Sequence, residues 1–386
     1  MAQKIAVGID VGTYQIKVVV ASQDSREQRA KIIGTGFAQS RGIRHGYVVN
    51  RQDIAKMLQL AVREAEKSSG VAIRRAYLSV GGVGLEEFRS RAELLVSRAD
   101  SEVTELDLKN IIEESERKIS SRLLNRKVIH AIPLAYRLDG ERLMGSPIGM
   151  KGVKLELDAL FLTALEQHLN DLIAAVEDVG VSVIDVMASP LAGSFVTLTK
   201  AQKIAGVVLA NIGAETLSVA VFENDVPISV KVFPMGSTDI THDIALGLKI
   251  SIEDAEQAKR GALINSVTSK KQLDTIIAHR LSNIFALIEA HLKRLGKNGL
   301  LPAGVVISGG GSGVTTIEDI ARVVLKIPSK KASLMLEGKS KVKNSTWAVA
   351  YGLCIWGLTN DIESSSFSTI KENASGFITW LKQFLP

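Results

Sequence analysis

Two stretches half a chain apart are built on one plan, and this repeat constrains the fold more than any other feature. Residues 5–20 read IAVGIDVGTYQIKVVV and residues 206–221 read GVVLANIGAETLSVAV. Laid together, Asp10 meets Asn211, Gly12 meets Gly213 and residues 18–20 meet 219–221, at an offset of 201 residues. Each copy is an apolar run, a short polar turn containing glycine, and a second run that partly alternates apolar and polar residues. That is the pattern of a strand–turn–strand hairpin. One glycine-turn hairpin is commonplace. A matched pair implies two related α/β domains facing each other across a cleft. The glycine in each turn lets backbone N–H groups approach and point at a bound group, which suits an anion. The hydroxyls of Thr13 and Thr216 and the ammonium of Lys17 offer further donors.

A third glycine cluster follows. Residues 304–314, GVVISGGGSGV, form a buried-strand run ending in Gly309, Gly310 and Gly311, ahead of a helix-compatible stretch at 317–324. Bare backbone at such a point leaves room for a flat base or ribose. This is not the dinucleotide fingerprint, because no acidic residue follows at the end of a second strand. Residues 251–260, SIEDAEQAKR, open a helix with Ser251 as N-cap and acids in the first turn. Glu256 and Lys259 share one helical face, within reach of a ribose and a base edge. A solvated surface pair is the plainer alternative.

Composition narrows the class. With 46% hydrophobic and 23% charged residues over 386 positions, the chain is globular and long enough for two or more domains. The net charge of +6 is too diffuse for a dedicated nucleic-acid binder, so no nucleic acid is expected as a partner. A single cysteine, Cys354, excludes an internal disulfide framework and any multi-cysteine zinc site. The start of the chain lacks the apolar stretch of a secretory signal, and no run of about 18 apolar residues occurs, so a cytoplasmic protein is expected.

In this order the elements resemble the actin/Hsp70/sugar-kinase superfamily. Within it, the chain resembles FtsA, a family of bacterial actin-like cell-division proteins. The resemblance is carried by VGIDVGTYQIKVVV from Val7, GIRHGYVVN from Gly42, YLSVGG from Tyr77, GSTDITHDIALGLKISIEDAEQAKRG from Gly236 and ISGGGSGV from Ile307. It implies an α/β, actin-like (ribonuclease H-like) two-lobed fold with a small inserted α+β subdomain and a C-terminal amphipathic helix. The expected boundaries are 1–81 and 163–200 for the first lobe core, 82–162 for the insertion, 201–245 and 302–359 for the second lobe core, and 246–301 for its subdomain. A linker at 360–374 and a terminal helix at 375–386 complete the chain.

The resemblance also implies ATP with Mg²⁺ in the cleft. Asp10, Gly12, Thr13, Tyr14 and Lys17 would meet phosphate and metal, Asp10 through a metal-bound water. Asn211, Gly213, Ala214, Glu215 and Thr216 would form the facing loop, and Glu256, Lys259, Gly309, Gly310 and Gly311 would take ribose and base. The implied partners are the C-terminal tail of FtsZ, received near Arg280, further copies of the chain in a filament, later division proteins and the cytoplasmic face of the membrane at the division site. Two departures bear on catalysis. Asn211 stands where ATP-hydrolysing relatives carry an aspartate, and Ser189 stands where an acid precedes the proline. A serine with no base partner is a poor acceptor for the proton of an attacking water. No residue is therefore assigned a catalytic role, and hydrolysis is expected to be slow or absent.

At the chain end, ASGFITWLKQFLP places Phe377, Ile378, Trp380, Leu381, Phe384 and Leu385 on one helical face. A short terminal helix of this kind, behind a serine-rich linker, suits a membrane interface, with docking on the protein's own core as the alternative. The rival functions are a PilM-like cytoplasmic assembly platform of type IV pili and a small-molecule (sugar) kinase. The absence of an acid at Ser189 counts against the kinase.

Overall fold

A computed structural model describes residues 4–24, 30–262, 270–334 and 344–359. The expected linker and the terminal apolar face from Phe377 to Leu385 lie outside the described residues. Strands β1 (Lys4–Val11), β2 (Gln15–Gln23) and β3 (Lys31–Gln39) form an antiparallel meander. A short hairpin, β4 (Ile43–Arg44) and β5 (Tyr47–Val48), leads into α1 (Arg51–Ser69). That helix starts where the Asn50 side chain accepts the Asp53 N–H and stops at Gly70, whose φ of 70° supplies a left-handed cap. Strand β6 (Arg75–Val80) then returns parallel to β1.

The next residues leave the first sheet and build one of their own. Strand β7 (Glu86–Leu95), helix α2 (Glu105–Arg117), β8 (Arg126–Leu138), β9 (Glu141–Arg142) and β10 (Lys154–Leu165) make a sheet in the order β7-β10-β8-β9 with α2 against it. Thr104 and Asp107 close a capping box at the start of α2. Strand β10 continues to Leu165, three residues past the expected edge of the insertion, because it pairs with β7 as far as Thr163 and with β8 as far as Leu165. The chain re-enters the first lobe through α3 (Glu166–Glu177) and β11 (Ser182–Ala188), and passes across by α4 (Ser189–Thr197) and α5 (Lys200–Ala205).

The second lobe repeats the first. Its meander is β12 (Val207–Ile212), β13 (Leu217–Glu223) and β14 (Val226–Phe233). Helices α6 (Ser237–Leu248), α7 (Ile252–Lys259) and α8 (Lys270–Arg294) follow, then β15 (Val305–Ser308), α9 (Ile317–Leu325), β16 (Ser329–Lys331) and α10 (Ala348–Thr359). The sheet orders are β11-β6-β1-β2-β3 and β14-β13-β12-β15-β16, which is one topology written twice. Helix α6 runs through the boundary expected at 245 without a break, so the subdomain of this lobe is reached along a continuous helix rather than across a linker.

Both sheets are buried on both faces, which is why their strands read as nearly continuous apolar runs. Alternate residues go to opposite sides. Val7, Ile9, Val18 and Val20 pack with α1 and α3, while Ala6, Val19 and Ala21 join Leu209, Ala220 and Phe222 of the second lobe around α4 and α10. Helix α10 is wedged tightly there: a Cβ at Gly352 would stand 1.8 Å from the Ala192 carbonyl oxygen. Outer strand edges are closed by side chains. On β3, Thr35 N–H donates to Ser68 Oγ and Phe37 N–H to Glu64 Oε2, each at 2.8 Å. On β14, Val230 N–H donates to Glu87 Oε2 at 2.7 Å, and on β16, Lys331 N–H donates to Glu318 Oε1 at 2.6 Å.

Candidate functional site

The meanders place their two glycine turns opposite one another. In the first, Gly12 N–H donates to the Gln15 carbonyl at 3.2 Å; in the second, Gly213 N–H donates to the Thr216 carbonyl at 2.8 Å. Each turn is braced from behind by serine or threonine. Ser40 Oγ donates to the Gly12 carbonyl at 2.5 Å, and the Ser237 and Thr238 N–H groups donate to the carbonyls of Gly213 and Ala214 at 2.9 and 2.8 Å. Between the turns lies a cavity of about 800 Å³. It is large enough for a nucleotide by the usual size of such sites.

Of the residues expected at a nucleotide, Asp10, Gly12, Thr13, Tyr14, Lys17, Asn211, Gly213, Ala214, Thr216, Glu256, Lys259, Gly309, Gly310 and Gly311 all line this cavity. Glu215 does not. Its carboxylate turns away to the first lobe, where Oε2 accepts the His45 N–H at 2.6 Å and Arg44 Nε lies 3.3 Å from Oε1. A carboxylate aimed inward would repel phosphate, so the expected ligand role for Glu215 is corrected here.

Directly behind the turns, formal charge stands in the first lobe alone. Asp10 and Lys17 are cross-strand partners on β1 and β2. Burial raises the Asp10 carboxyl above the ordinary range, partly offset by the Lys17 charge and by a 2.7 Å hydrogen bond from Ser79 Oγ. Burial likewise lowers the Lys17 ammonium, with Asp10 opposing it. On the far wall the equivalent cross-strand pair is Asn211 and Ser218, without a formal charge. Gly309 follows β15 with φ 85°, and a Cβ there would stand 2.3 Å from Asn211 Oδ1. Only glycine lets that backbone lie so close to the turn.

At the rim, Glu256 on α7 accepts from Thr241 Oγ1 and pairs with Lys259 Nζ, each at 2.6 Å. Burial alone would raise Glu256, but the hydrogen bonds from Lys259 and Thr241 outweigh it and hold the carboxyl below the ordinary range. Sequence reasoning missed Ser79, Thr241, Arg260 and His168, all on the cavity wall. Ser79 was findable: it stands beside Asp10 as Ser308 stands beside Asn211 in the other half. Ser189 also lines the cavity, at the start of α4. Among the described residues no group of three or more His, Cys, Asp or Glu could hold a metal. With Asp10 as the carboxylate of the inner wall, the site fits a divalent ion that keeps water and phosphate as most of its ligands, as Mg²⁺ does.

Arg280 lies on α8, away from this cavity. Its guanidinium makes a two-pronged pair with Asp243 of α6, Nε to Oδ2 and Nη2 to Oδ1, both at 2.7 Å. Lys293 pairs with Glu289 at 2.9 Å, and Arg294 contacts His291 Nδ1 at 3.1 Å.

Comparison with known proteins fits this geometry. A family model described as "Cell division protein FtsA" matches residues 208–352, and one described as "SHS2 domain inserted in FTSA" matches residues 84–163, the separate sheet of the first lobe. The chain is 26% identical to the cell division protein FtsA of Pseudomonas aeruginosa, covering 95% of this chain and 92% of that protein. It is 28% identical to that of Borreliella burgdorferi, over 86% and 84% of the two chains, and 27% identical to that of Bacillus subtilis, over 86% and 79%. This chain belongs to the FtsA family. Members of the FtsA family are cell-division proteins, and the inserted sheet is the family's own subdomain. Among solved structures, a PilM–PilN type IV pilus biogenesis complex superposes with a TM-score of 0.71 at 16% identity, covering 92% of this chain and 99% of that one. MreB5 of Spiroplasma citri bound to ADP superposes at 0.52 and 12% identity, covering 94% and 99%. These identities show the fold alone, which is actin-like. No helix among the described residues is long and apolar enough to cross a membrane.

Proposed function

We propose that this chain binds ATP with Mg²⁺ between its lobes, assembles with further copies on the cytoplasmic face of the membrane, tethers FtsZ filaments there and recruits later division proteins. The observation that carries the nucleotide part is the cavity between two matched glycine turns, with Asp10 and Lys17 on one wall and bare glycine backbone on the other. Turn N–H groups and Lys17 would neutralise the phosphates, and Asp10 would hold the ion through water. Bound Mg²⁺ supplies charge neutralisation across the terminal phosphates. Thr241, Glu256 and Lys259 would take the ribose, and Gly309, Gly310 and Gly311 the base. Ser189 offers a hydroxyl with no base to activate water, so turnover would be slow and the nucleotide a clamp rather than a fuel.

The apolar face of Phe377, Ile378, Trp380, Leu381, Phe384 and Leu385 would serve as the anchor. One short amphipathic helix binds reversibly; several on one filament bind far more tightly through effective concentration. The helix α8 surface near Arg280 would receive the FtsZ tail, with an acidic group of the tail competing against Asp243. Calorimetry with Mg-ATP and sedimentation with anionic vesicles test the reading together. Nucleotide uptake, and ATP-dependent pelleting that is lost when residues 375–386 are removed, support it; no uptake overturns it. For the partner, Arg280→Glu should abolish binding of an FtsZ tail peptide while Asp243→Asn preserves it. Unchanged affinity in Arg280→Glu removes that assignment.

A further inference from the structure

Tyr14 and Glu215 occupy the same position in the repeat, one at each turn apex, 201 residues apart. Both side chains leave their own lobe. Arg260, at the end of α7 in the second lobe, donates from Nη2 to Tyr14 Oη at 3.4 Å. In the opposite direction Glu215 reaches the β4–β5 turn of the first lobe: His45 N–H donates to Oε2 at 2.6 Å, Arg44 Nε stands 3.3 Å from Oε1, and His45 Nδ1 is 3.2 Å from the Glu215 carbonyl. The backbone of His45 is left-handed, with φ 48°, a conformation that a non-glycine residue keeps only where its surroundings hold it. Its carbonyl is held as well, accepting the Val83 N–H at 3.2 Å.

We propose that Tyr14 and Glu215 are reciprocal straps, each tying its own turn to the opposite lobe, and that together they set how fast a bound nucleotide leaves the cleft. This rests on the nucleotide reading given above. Three observations carry it. First, Glu215 stands between two cavity-lining residues, Ala214 and Thr216, yet its own side chain is spent on the other lobe. Any shift of the turn on loading or emptying the cleft therefore pulls on residues 44 and 45. Second, the straps run in opposite directions from equivalent positions, so separating the lobes has to break both. Third, they differ in strength. Glu215 makes a short charge-assisted bond to a backbone N–H and a second contact to a guanidinium, whereas the uncharged Tyr14 hydroxyl accepts one long contact from the Arg260 guanidinium. Glu215 is the main strap and Tyr14 the lesser.

The test uses the full chain with two readouts. One is release of a fluorescent ATP analogue from Mg²⁺-loaded protein, chased with unlabelled ATP. The other is hydrogen exchange over residues 42–48 in nucleotide-free protein. Glu215→Ala should speed release about tenfold and Tyr14→Phe roughly twofold, in keeping with the loss of a short charge-assisted hydrogen bond and of a long one. Exchange over 42–48 should rise in Glu215→Ala even without nucleotide. Arg44→Ala, whose side chain is 70% exposed, removes the guanidinium contact of the main strap without touching the core and should speed release about two- to threefold. Release and exchange both at wild-type values in Glu215→Ala and Arg44→Ala would overturn the straps. If wild-type protein takes up no nucleotide while Glu215→Ala still loosens 42–48, the straps stand and the nucleotide reading falls.

Discussion

The two glycine turns have the same backbone and opposite electrostatics. Gly12 and Gly213 close their turns with the same N–H to carbonyl bond three residues on, and both feed a strand pair of the same register. Yet the pair behind the first turn is Asp10 and Lys17, a half-buried carboxylate and a half-buried ammonium, while that behind the second is Asn211 and Ser218. Shape in this cleft is symmetric and charge is not. The duplicated fold supplies two glycine turns, and formal charge stands behind one of them; on the reading proposed above, with Ser189 on the wall where an acid would be needed, the cleft would hold a phosphate rather than cleave it.

The hardest test of that contrast removes the carboxylate behind the first turn. Asp10→Asn leaves Lys17 without the carboxylate that it faces across the strand pair. Calorimetry should show that Mg²⁺ no longer strengthens nucleotide binding. An unchanged Mg²⁺ dependence would mean that the first turn does not hold the ion.

The converse makes both turns charged. Asn211→Asp puts a carboxylate where no lysine answers it, for an expected loss of roughly 1–3 kcal/mol. Adding Ser218→Lys, the register equivalent of Lys17, should recover part of it, and additive losses in the double variant would show that the two positions do not couple. Neither variant should hydrolyse ATP faster while residue 189 is serine.

Neighbouring glycines sharpen the picture on the second wall. Gly309→Ala forces φ 85° on a residue with a Cβ and drives that atom against Asn211 Oδ1, for about 1–3 kcal/mol. Gly310→Ala meets nothing within 4 Å and should stay within about 0.5 kcal/mol of wild type. Thermal melts compare them directly.

The smallest effect is the subtlest. Two carboxylates face the cavity and are shifted in opposite directions: Asp10 upward, because burial outweighs its partners, and Glu256 downward, because hydrogen bonds outweigh burial. For Asp10 the folded value lies above the unfolded one, so its ionisation counts against folding as pH rises through the raised value. For Glu256 the folded value lies below, so it contributes stability above the unfolded value that is lost as pH falls through the depressed one. On acidification, Mg²⁺-dependent binding should therefore fail first, while Glu256 is still ionised. A pH series of melting temperatures should lose its upper step in Asp10→Asn and its lower step in Glu256→Gln.

Much of this was legible in the sequence, and the limits were physical. The 201-residue offset exposed the first hairpin of each meander because its strands and turn keep their length. It did not carry through to β6 and β15, since α6, α7 and α8 are longer than α1 alone: Ser79 and Ser308 occupy equivalent places but stand 229 residues apart. Sequence gives the residue at a turn apex but not the direction in which its side chain points, which is how Glu215 was read as a cleft residue. Arg280 shows the same limit at longer range. A basic residue on a helix face suggests a surface cation, and nothing local reveals that Asp243, 37 residues earlier, already holds both prongs of its guanidinium.

The side chains that close the outer strands bear on how copies of this chain can associate. A bare strand edge is a template onto which any extended peptide can hydrogen-bond, and such growth is hard to reverse. Here Ser68 and Glu64, Glu87 and Glu318 already occupy donors along three of those borders. Filaments of the kind proposed would then have to be joined through folded surfaces rather than by backbone zippering. Contacts of that sort come apart without unfolding the subunit, so a ring built from them could be dismantled at the end of each division and its parts used again.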